Sequence, residues 1–362
     1  MKIGLLTHYA VNNQGAMLQM YALYKFIEQI GYQPFVLTYC KNFDFADEET
    51  RKKYNVGFSS YPYFFKEYLM RQGAGITCFN VQKTRILSGF KKRNFCFEPY
   101  ALFQTDAAIV GSDEVFSIPV GVNPMMYGHG VRSDRLVAYA PSFGQTTMEN
   151  IDAFHCRELI SSGLDKFGAL SARDYHTQRM IETLCGRKAQ IVCDPALLYD
   201  FSSGPKHDIP GMHSPYLLIY SYDRNMNEEN EVAGIRDYAH FHGLKTVSAG
   251  TYHKWCDQNI ACDPLDWLEY FRHAQCCVVD TFHGLIAAAI CGCPMAVKIR
   301  GNNENKLSHL IGQLGLESRA VQDIGADLER ILTDKMDFAP VNDKIKNLRA
   351  ESGRFLCESL IS

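Results

Sequence analysis

Cys276-Cys277-Val278-Val279-Asp280-Thr281-Phe282-His283-Gly284-Leu285-Ile286-Ala287-Ala288-Ala289-Ile290-Cys291-Gly292-Cys293-Pro294 is the stretch whose reading decides the fold of this chain. Its first four residues form an apolar run without alternation, the pattern of a parallel strand covered on both faces. Asp280 and Thr281 end that run. Over residues 285–290 every side chain is small or aliphatic, which suits a helix packed tightly on a sheet, and Gly292 and Pro294 supply its stop signals. Residues 295–299 read as the next strand, so the stretch is a βαβ unit. Sheets of this kind take ligands beyond the carboxyl ends of their strands, where His283 falls. The start of the helix turns unpaired N–H groups and a positive dipole end toward the same place, which favours an anion there. A histidine at such a turn also serves as a cap or a packing residue, and this segment alone leaves both readings open.

The whole chain has 362 residues, too long for one ordinary doubly wound domain and enough for two, each with its own core. With 46% hydrophobic and 21% charged residues, a net charge of −3 and no long tract of one sign, it has the composition of a soluble globular protein, and nucleic acid is not an expected partner. The first residues run directly into a strand too short for a signal-peptide core, and no apolar stretch is long enough to span a bilayer. Thirteen cysteines, an odd number, lie mostly inside apolar runs, so a reducing cytoplasm is expected. Neither Cys291 with Cys293 nor His253 with Cys256 and Cys262 has the paired spacing of a zinc site, and no metal is expected.

Upstream, residues 2–7 read as a strand, 16–30 as an amphipathic helix stopped by Gly31, and 33–39 as a second strand. The loop between strand and helix carries Asn12, Asn13, Gln14 and Gly15 and resembles a ligand loop, although it lacks the Gly-x-Gly-x-x-Gly pattern of dinucleotide sites. Residues 41–100 break the rhythm with charges and aromatics and read as a helical insertion. Near its end Lys91-Lys92-Arg93 is either a solvated helix face or a contact to a lipid-phosphate acceptor or the membrane surface, and the first reading is the simpler.

Four apolar runs follow, at residues 107–110, 137–140, 167–170 and 190–192. They lead into Gly111-Ser112-Asp113, Pro141-Ser142-Phe143-Gly144, Ser171-Ala172-Arg173-Asp174 and Cys193-Asp194-Pro195, strand tips of the kind a doubly wound sheet offers to a ligand. Arg173 stands out because a guanidinium just past a strand is suited to bidentate binding of carboxylate or phosphate, with a surface ion pair to Asp174 or a neighbour as the alternative. Residues 200–214, with two glycines and two prolines, are expected to link a first domain, 1–205, to a second α/β domain, 206–340. In the second domain 215–221 and 245–249 read as strands around a helix at 228–242. Asp263 and Pro264 start another helix as cap and first residue. A polar loop, 300–305, leads to Lys306 and a helix at 307–314. The closing helix, 341–362, belongs to a type of tail that often packs back on the first domain.

Taken in order along nearly the whole chain, these motifs resemble the polysaccharide pyruvyl transferase family. The resemblance rests on Asn13-Gln14-Gly15-Ala16 with Leu18-Gln19, Gly111-Ser112-Asp113, Tyr139-Ala140-Pro141-Ser142-Phe143-Gly144, Ser171-Ala172-Arg173-Asp174 and Asp194-Pro195-Ala196-Leu197-Leu198. It continues through Asp263-Pro264-Leu265-Asp266-Trp267, Thr281-Phe282-His283-Gly284, Gly292-Cys293-Pro294 and Asn305-Lys306. It implies an α/β fold of two Rossmann-like doubly wound domains facing a cleft, a GT-B-like arrangement. It also implies phosphoenolpyruvate as co-substrate without a further cofactor. The pyruvyl group passes to two hydroxyls of a sugar as a ketal, with release of phosphate, in cell-surface or exopolysaccharide biosynthesis. By the same resemblance Asn13, Gln14, Gly15, Ser112 and Asp113 lie on the acceptor side. Arg173, Thr281, Phe282, His283, Gly284 and Lys306 bind the phosphoenolpyruvate, Arg173 through its phosphate or carboxylate, and His283 is the acid or base. The acceptor is a glycan sugar, lipid-linked or nucleotide-linked, reached in the cytoplasm or at the inner face of the membrane.

The chemistry accounts for these residue types. Protonating the methylene carbon of phosphoenolpyruvate gives a cationic carbon that a sugar hydroxyl attacks before phosphate leaves. Histidine is the side chain suited to that proton near neutral pH. The helix end beside His283 disfavours the imidazolium, and a bound dianionic donor or Asp280 is expected to offset this. Arg173 and Lys306 orient the phosphoenolpyruvate and screen charge on the departing phosphate without a metal. Two other readings compete. One is a glycosyltransferase taking a nucleotide sugar in a similar cleft, with Glu304 as its candidate ribose-binding acid. The other is a non-catalytic carbohydrate-binding or assembly protein, kept open by Thr281, which stands where some family members have arginine.

Overall fold

The computed structural model describes residues 1–39, 73–119, 121–203, 214–301 and 304–361. Two sheets organise them. The first holds β1 (Lys2–Leu6), β2 (Gln33–Thr38), β3 (Phe97–Pro99), β4 (Ala107–Val110), β5 (Leu136–Ala138), β6 (Ala169–Ala172) and β7 (Gln190–Ile191) in the spatial order β3-β2-β1-β4-β5-β6-β7. The second holds β8 (Tyr216–Tyr220), β9 (Lys245–Ala249), β10 (Gln258–Ile260), β11 (Cys276–Val279), β12 (Met295–Lys298) and β13 (Ala320–Val321) in the order β10-β9-β8-β11-β12-β13. All strand pairs within them are parallel. In each sheet the order reverses beside its first strand, between β1 and β4 and between β8 and β11, and that switch point opens a crevice at the carboxyl ends. These are the two Rossmann-like, doubly wound units that the motif order implied.

The apolar runs fail to alternate because both faces of each sheet are covered. In β11, Cys277 and Val279 enter one core while Cys276 and Val278 enter another. In β4 the same division separates Ala107 and Ile109 from Ala108 and Val110. One core is common to both lobes, since it takes Ile3 and Leu5 of β1 together with Leu218 of β8 and Val279 of β11. The lobes therefore meet across packed side chains, and the cleft lies at the rim of a continuous apolar contact.

Several boundaries differ from the sequence reading. β3 lies inside the segment expected to be a pure helical insertion, yet it pairs with β2. Three residues leave no readable period, and the same holds for the short β10 and β13. Of that insertion, residues 41–72 lie outside the described residues, as do 204–213 of the expected linker. The described remainder of the insertion before β3 is the helix Gly73–Asn94, ending in Lys91, Lys92 and Arg93. Arg93 pairs with Asp263 of the second lobe at 3.5 Å, so one of the three basic residues is committed to a contact between lobes. β6 runs through Ser171 and Ala172, two residues beyond the expected end, because Phe167 packs into the first-lobe core ahead of the strand. Arg173 consequently follows the last strand residue directly.

The helix after β11 is Phe282–Cys291, beginning three residues earlier than expected. Thr281 Oγ1 accepts the Gly284 N–H at 3.1 Å and caps it, which brings His283 into its first turn. Lys306 likewise falls in the first turn of a helix, Glu304–Leu314, rather than in the loop before it. Among the described residues no helix is long and apolar enough to cross a membrane, and every cysteine is unpaired.

The closing helix, Ala339–Ile361, does pack on the first lobe. Ser352 Oγ accepts the Cys193 N–H at 2.9 Å, Arg349 Nε donates to the Leu197 carbonyl at 3.0 Å, and Leu356 and Leu360 enter the common core. Leu356 is fully buried, so Leu356→Ala is expected to lower the unfolding free energy by about 2–5 kcal/mol. Urea denaturation checks it, and an unchanged midpoint would show that the tail does not help hold the core together.

Candidate active site

Loops at the carboxyl ends of the two sheets enclose a cavity of about 260 Å³. The first lobe contributes His8 and Asn13 after β1, Asp113 and Glu114 after β4, and Arg173 after β6. From the second come Tyr220 and Tyr222 at the end of β8, the capped start of the Phe282–Cys291 helix, and Lys306.

Beneath this cavity lies Asp194, fully buried. It follows β7 and caps the short helix Pro195–Leu198, its Oδ1 accepting the Ala196 N–H at 2.9 Å. The other oxygen, Oδ2, accepts from Arg173 Nη1 at 3.1 Å, stands 3.1 Å from Ser112 Oγ and lies 3.6 Å from His283 Nε2. Arg173 also approaches Asp113 Oδ1 through Nη2 at 3.7 Å, and its guanidinium rests 4.3 Å from the centre of the Phe282 ring. Burial by itself raises the Asp194 carboxyl, but the adjacent His283, then Arg173 and the Ala196 N–H, outweigh it and hold the group well below the usual carboxylate range. Asp113 is held low in the same way, burial being outweighed by Arg173, His283 and His8. For Lys306 the burial cost to the ammonium is more than offset by Glu114, so its proton is held more tightly than usual.

Two nitrogens in this cluster, Arg173 Nε and His283 Nε2, are buried and have no hydrogen-bond partner among the described residues. A buried polar group left unpaired costs about 1–3 kcal/mol, a cost relieved when an acceptor enters beside it. The capped start of the Phe282–Cys291 helix, with its positive dipole end, borders the same cavity through Thr281, Phe282 and His283. The arrangement suits an anion. Among the described residues no group of three His, Cys, Asp or Glu side chains is placed to hold a metal ion.

Of the residues expected at a site, Asn13, Asp113, Arg173, Thr281, Phe282, His283 and Lys306 line the cavity. Gln14, Gly15, Ser112 and Gly284 do not, and each has another place. Gln14 is wholly buried and donates Nε2 to the Cys262 carbonyl of the second lobe at 3.2 Å, a tie between lobes. Gly15 passes beneath the imidazole, where an added Cβ would stand 2.6 Å from His283 Nδ1, so no side chain fits. Ser112 lies below the surface against Asp194, and Gly284 packs so close to Tyr220 that a Cβ would come within 2.8 Å of its ring. Asn13 also caps the first helix, Gln14–Gln29, its Oδ1 accepting the Ala16 N–H at 3.0 Å.

Two sequence expectations are corrected. The ion pair of Arg173 is neither with Asp174 nor at the surface: Asp174 caps the next helix through the Thr177 N–H at 2.7 Å, and Arg173 turns inward to pair with Asp194 and Asp113. Asp280 does not face His283, because Arg300 Nε at 2.7 Å and Asn225 Nδ2 at 2.8 Å hold its Oδ2. Val279 points into the common core, so the next residue projects from the opposite face of the strand, and the carboxylate beside His283 is that of Asp194. Sequence reasoning met Asp194 in a strand-tip motif and in a family motif but gave it no role. Glu114 carried no signal, and its partner Lys306 lies 192 residues away, at 2.9 Å.

Because Asp194 binds its proton more weakly in the folded protein than in the unfolded chain, its charge adds stability that is complete above the ordinary value of 3.8 and lost as pH falls below it. Asp194→Asn is expected to cost roughly 3 kcal/mol at neutral pH, since it strips the buried Arg173 of its counter-charge. That deficit should shrink below about pH 4 in a series of urea denaturations. A deficit independent of pH would remove the charge from the account.

Solved structures with similar folds include S. aureus MnaA in its UDP co-structure, with a TM-score of 0.52 and 12% identity over 98% of this chain and 94% of that one. The UDP-GlcNAc 2-epimerase of Methanocaldococcus jannaschii, in complex with UDP-GlcNAc and UDP, gives 0.50 and 12% over 97% and 100%. The alpha-glucosyltransferase AGT in complex with UDP gives 0.51 and 10% over 98% and 95%. At such identities the likeness is one of fold, and the fold is GT-B-like. No curated protein matches the chain. The family described as polysaccharide pyruvyl transferase matches residues 13–298, from the Asn13 loop through the end of β12. With the match extending over most of its length and through both halves of the cavity, the chain belongs to the polysaccharide pyruvyl transferase family.

Proposed function

We propose that the protein transfers the pyruvyl group of phosphoenolpyruvate to two hydroxyls of a glycan sugar, forming a ketal and releasing phosphate, in the synthesis of a cell-surface or exported polysaccharide. The observation that carries this reading is that Arg173 and His283, each with a buried nitrogen that has no hydrogen-bond partner among the described residues, meet a helix start at one cavity. Phosphoenolpyruvate presents a carboxylate and a phosphate on one small carbon frame, which fits such a convergence of cationic groups and N–H groups.

In this reading Arg173, Lys306 and the helix start hold the two anionic groups of phosphoenolpyruvate, and His283 gives the methylene carbon its proton from Nε2. The Asp194 carboxylate, 3.6 Å from that nitrogen, is the counter-charge for the proton-carrying ring. Protonation leaves a cationic carbon that the first sugar hydroxyl attacks, losing its proton. The bond from that carbon to the phosphate oxygen then breaks, phosphate leaves with the electron pair, and the second hydroxyl closes the ketal. Of the two hydroxyl protons released, one replaces the proton given to carbon and the other leaves with phosphate. Carbon is neither oxidised nor reduced overall, so no redox group is required. Asn13 and Asp113 on the first-lobe wall face the acceptor.

Such chemistry belongs in the cytoplasm, on a nucleotide-linked or lipid-linked sugar. A lipid-linked acceptor would bring the inner face of the membrane toward Lys91 and Lys92, with Arg93 already tied to Asp263.

The test is a melting curve with phosphoenolpyruvate and, separately, with nucleotide sugars, since a ligand of the folded state raises the midpoint by mass action. A rise with phosphoenolpyruvate is expected, and Arg173→Ala should lose it, with its own ligand-free midpoint as reference. A rise with nucleotide sugars alone would direct the assignment to glycosyl transfer instead. His283→Ala is expected to keep the phosphoenolpyruvate shift while phosphate release falls by roughly a hundredfold or more, as for loss of a general acid. Near wild-type release would take His283 out of the mechanism.

A further inference from the structure

Lys306 is already engaged. Its Nζ lies 2.9 Å from Glu114 Oε1, an ion pair that joins the lobes at the cavity wall, with 24% and 35% of the two side chains exposed. Glu114 follows Asp113 beyond the tip of β4. Gly144, at φ +59°, runs so close to the Glu114 carboxylate that an added Cβ would stand 3.0 Å from Oε2, so the group sits in a fitted place.

The charges in the cavity explain why this matters. Its wall carries two permanent cations, Arg173 and Lys306, and two carboxylates, Asp113 and Glu114, with Asp194 behind as a third carboxylate. A ligand with both a carboxylate and a phosphate thus meets no surplus of fixed positive charge among the described residues unless a pair opens. The Arg173 pairs are poorly placed to do so, because the side chain is 3% exposed and its guanidinium is bound to the buried Asp194. The partly exposed Lys306 pair is the weak one, since water screens it and takes up the released carboxylate at little cost.

We propose that Glu114 is an internal competitor for Lys306. Resting on the phosphoenolpyruvate reading above, this means that the entering anion displaces the Glu114 carboxylate and takes over the bridge between lobes. Glu114 then sets specificity, because only a ligand carrying enough negative charge replaces the pair that its entry breaks.

Titration calorimetry with phosphoenolpyruvate on wild type, Glu114→Gln, Lys306→Ala and the double variant tests this. Glutamine keeps the shape of the side chain, and a ligand-free melting midpoint close to wild type verifies the fold. Glu114→Gln is expected to bind phosphoenolpyruvate roughly tenfold tighter than wild type, with the gain vanishing in the Lys306→Ala background. Unchanged or weaker binding by Glu114→Gln, with wild type binding normally, overturns the competitor and leaves the pyruvyl-transfer reading standing. A tenfold gain that persists without Lys306 would show general relief of repulsion and also overturns it. If neither wild type nor Glu114→Gln binds phosphoenolpyruvate, the functional reading fails and the competitor with it.

Discussion

A single buried carboxylate, that of Asp194, fixes where the other site residues stand. A charge removed from water must be matched by partners in good geometry, and this one gathers a guanidinium, a hydroxyl and a backbone N–H while facing an imidazole across the cleft. The partners come from the tips of β4 and β6 and from the start of a second-lobe helix. None of them can move far without leaving Asp194 exposed to an apolar interior. Preorganisation of the cluster follows from that cost, before any ligand is considered.

The lobes hold this geometry because they share more than a cleft. A continuous apolar core runs between the inner faces of both sheets, and the closing helix returns to seal it against the first lobe. Polar ties reinforce the contact at its rim: Gln14 to the Cys262 carbonyl, Arg93 to Asp263, and Glu114 to Lys306. Gly15 has the complementary role. By lacking a side chain it lets the first helix of one lobe pass under the catalytic candidate of the other.

Electrostatically, the cleft combines the deep Arg173 pairs with a shallower pair, Lys306 and Glu114. Arg173, stacked on Phe282 and bound to Asp194, is a fixed feature whose Nε has no hydrogen-bond partner among the described residues. Lys306, about a quarter exposed, is the more adjustable one. For the proposed dianionic substrate, the buried group would set orientation and the more exposed one would tune affinity.

Much of the fold was legible along the chain. Parallel strands covered on both faces leave unalternating apolar runs, and residues 276–279 and 107–110 announced themselves in that way. Helix starts were legible where a cap and a proline adjoin, as at Asp263 and Pro264, because capping is a local hydrogen bond. The neighbourhood of His283, Arg173 and Lys306 followed from strand-tip position and from the order of the motifs. Three things only the tertiary structure decided. Asp194 rather than Asp280 faces His283, because the direction of a side chain at a strand end depends on which face its predecessor buries. Gln14 and Ser112 lie beneath the cavity, because the second lobe and Asp194 claim their polar atoms. Glu114 meets Lys306 although 192 residues separate them, because the packing of two lobes brings those charges together and no local period records it.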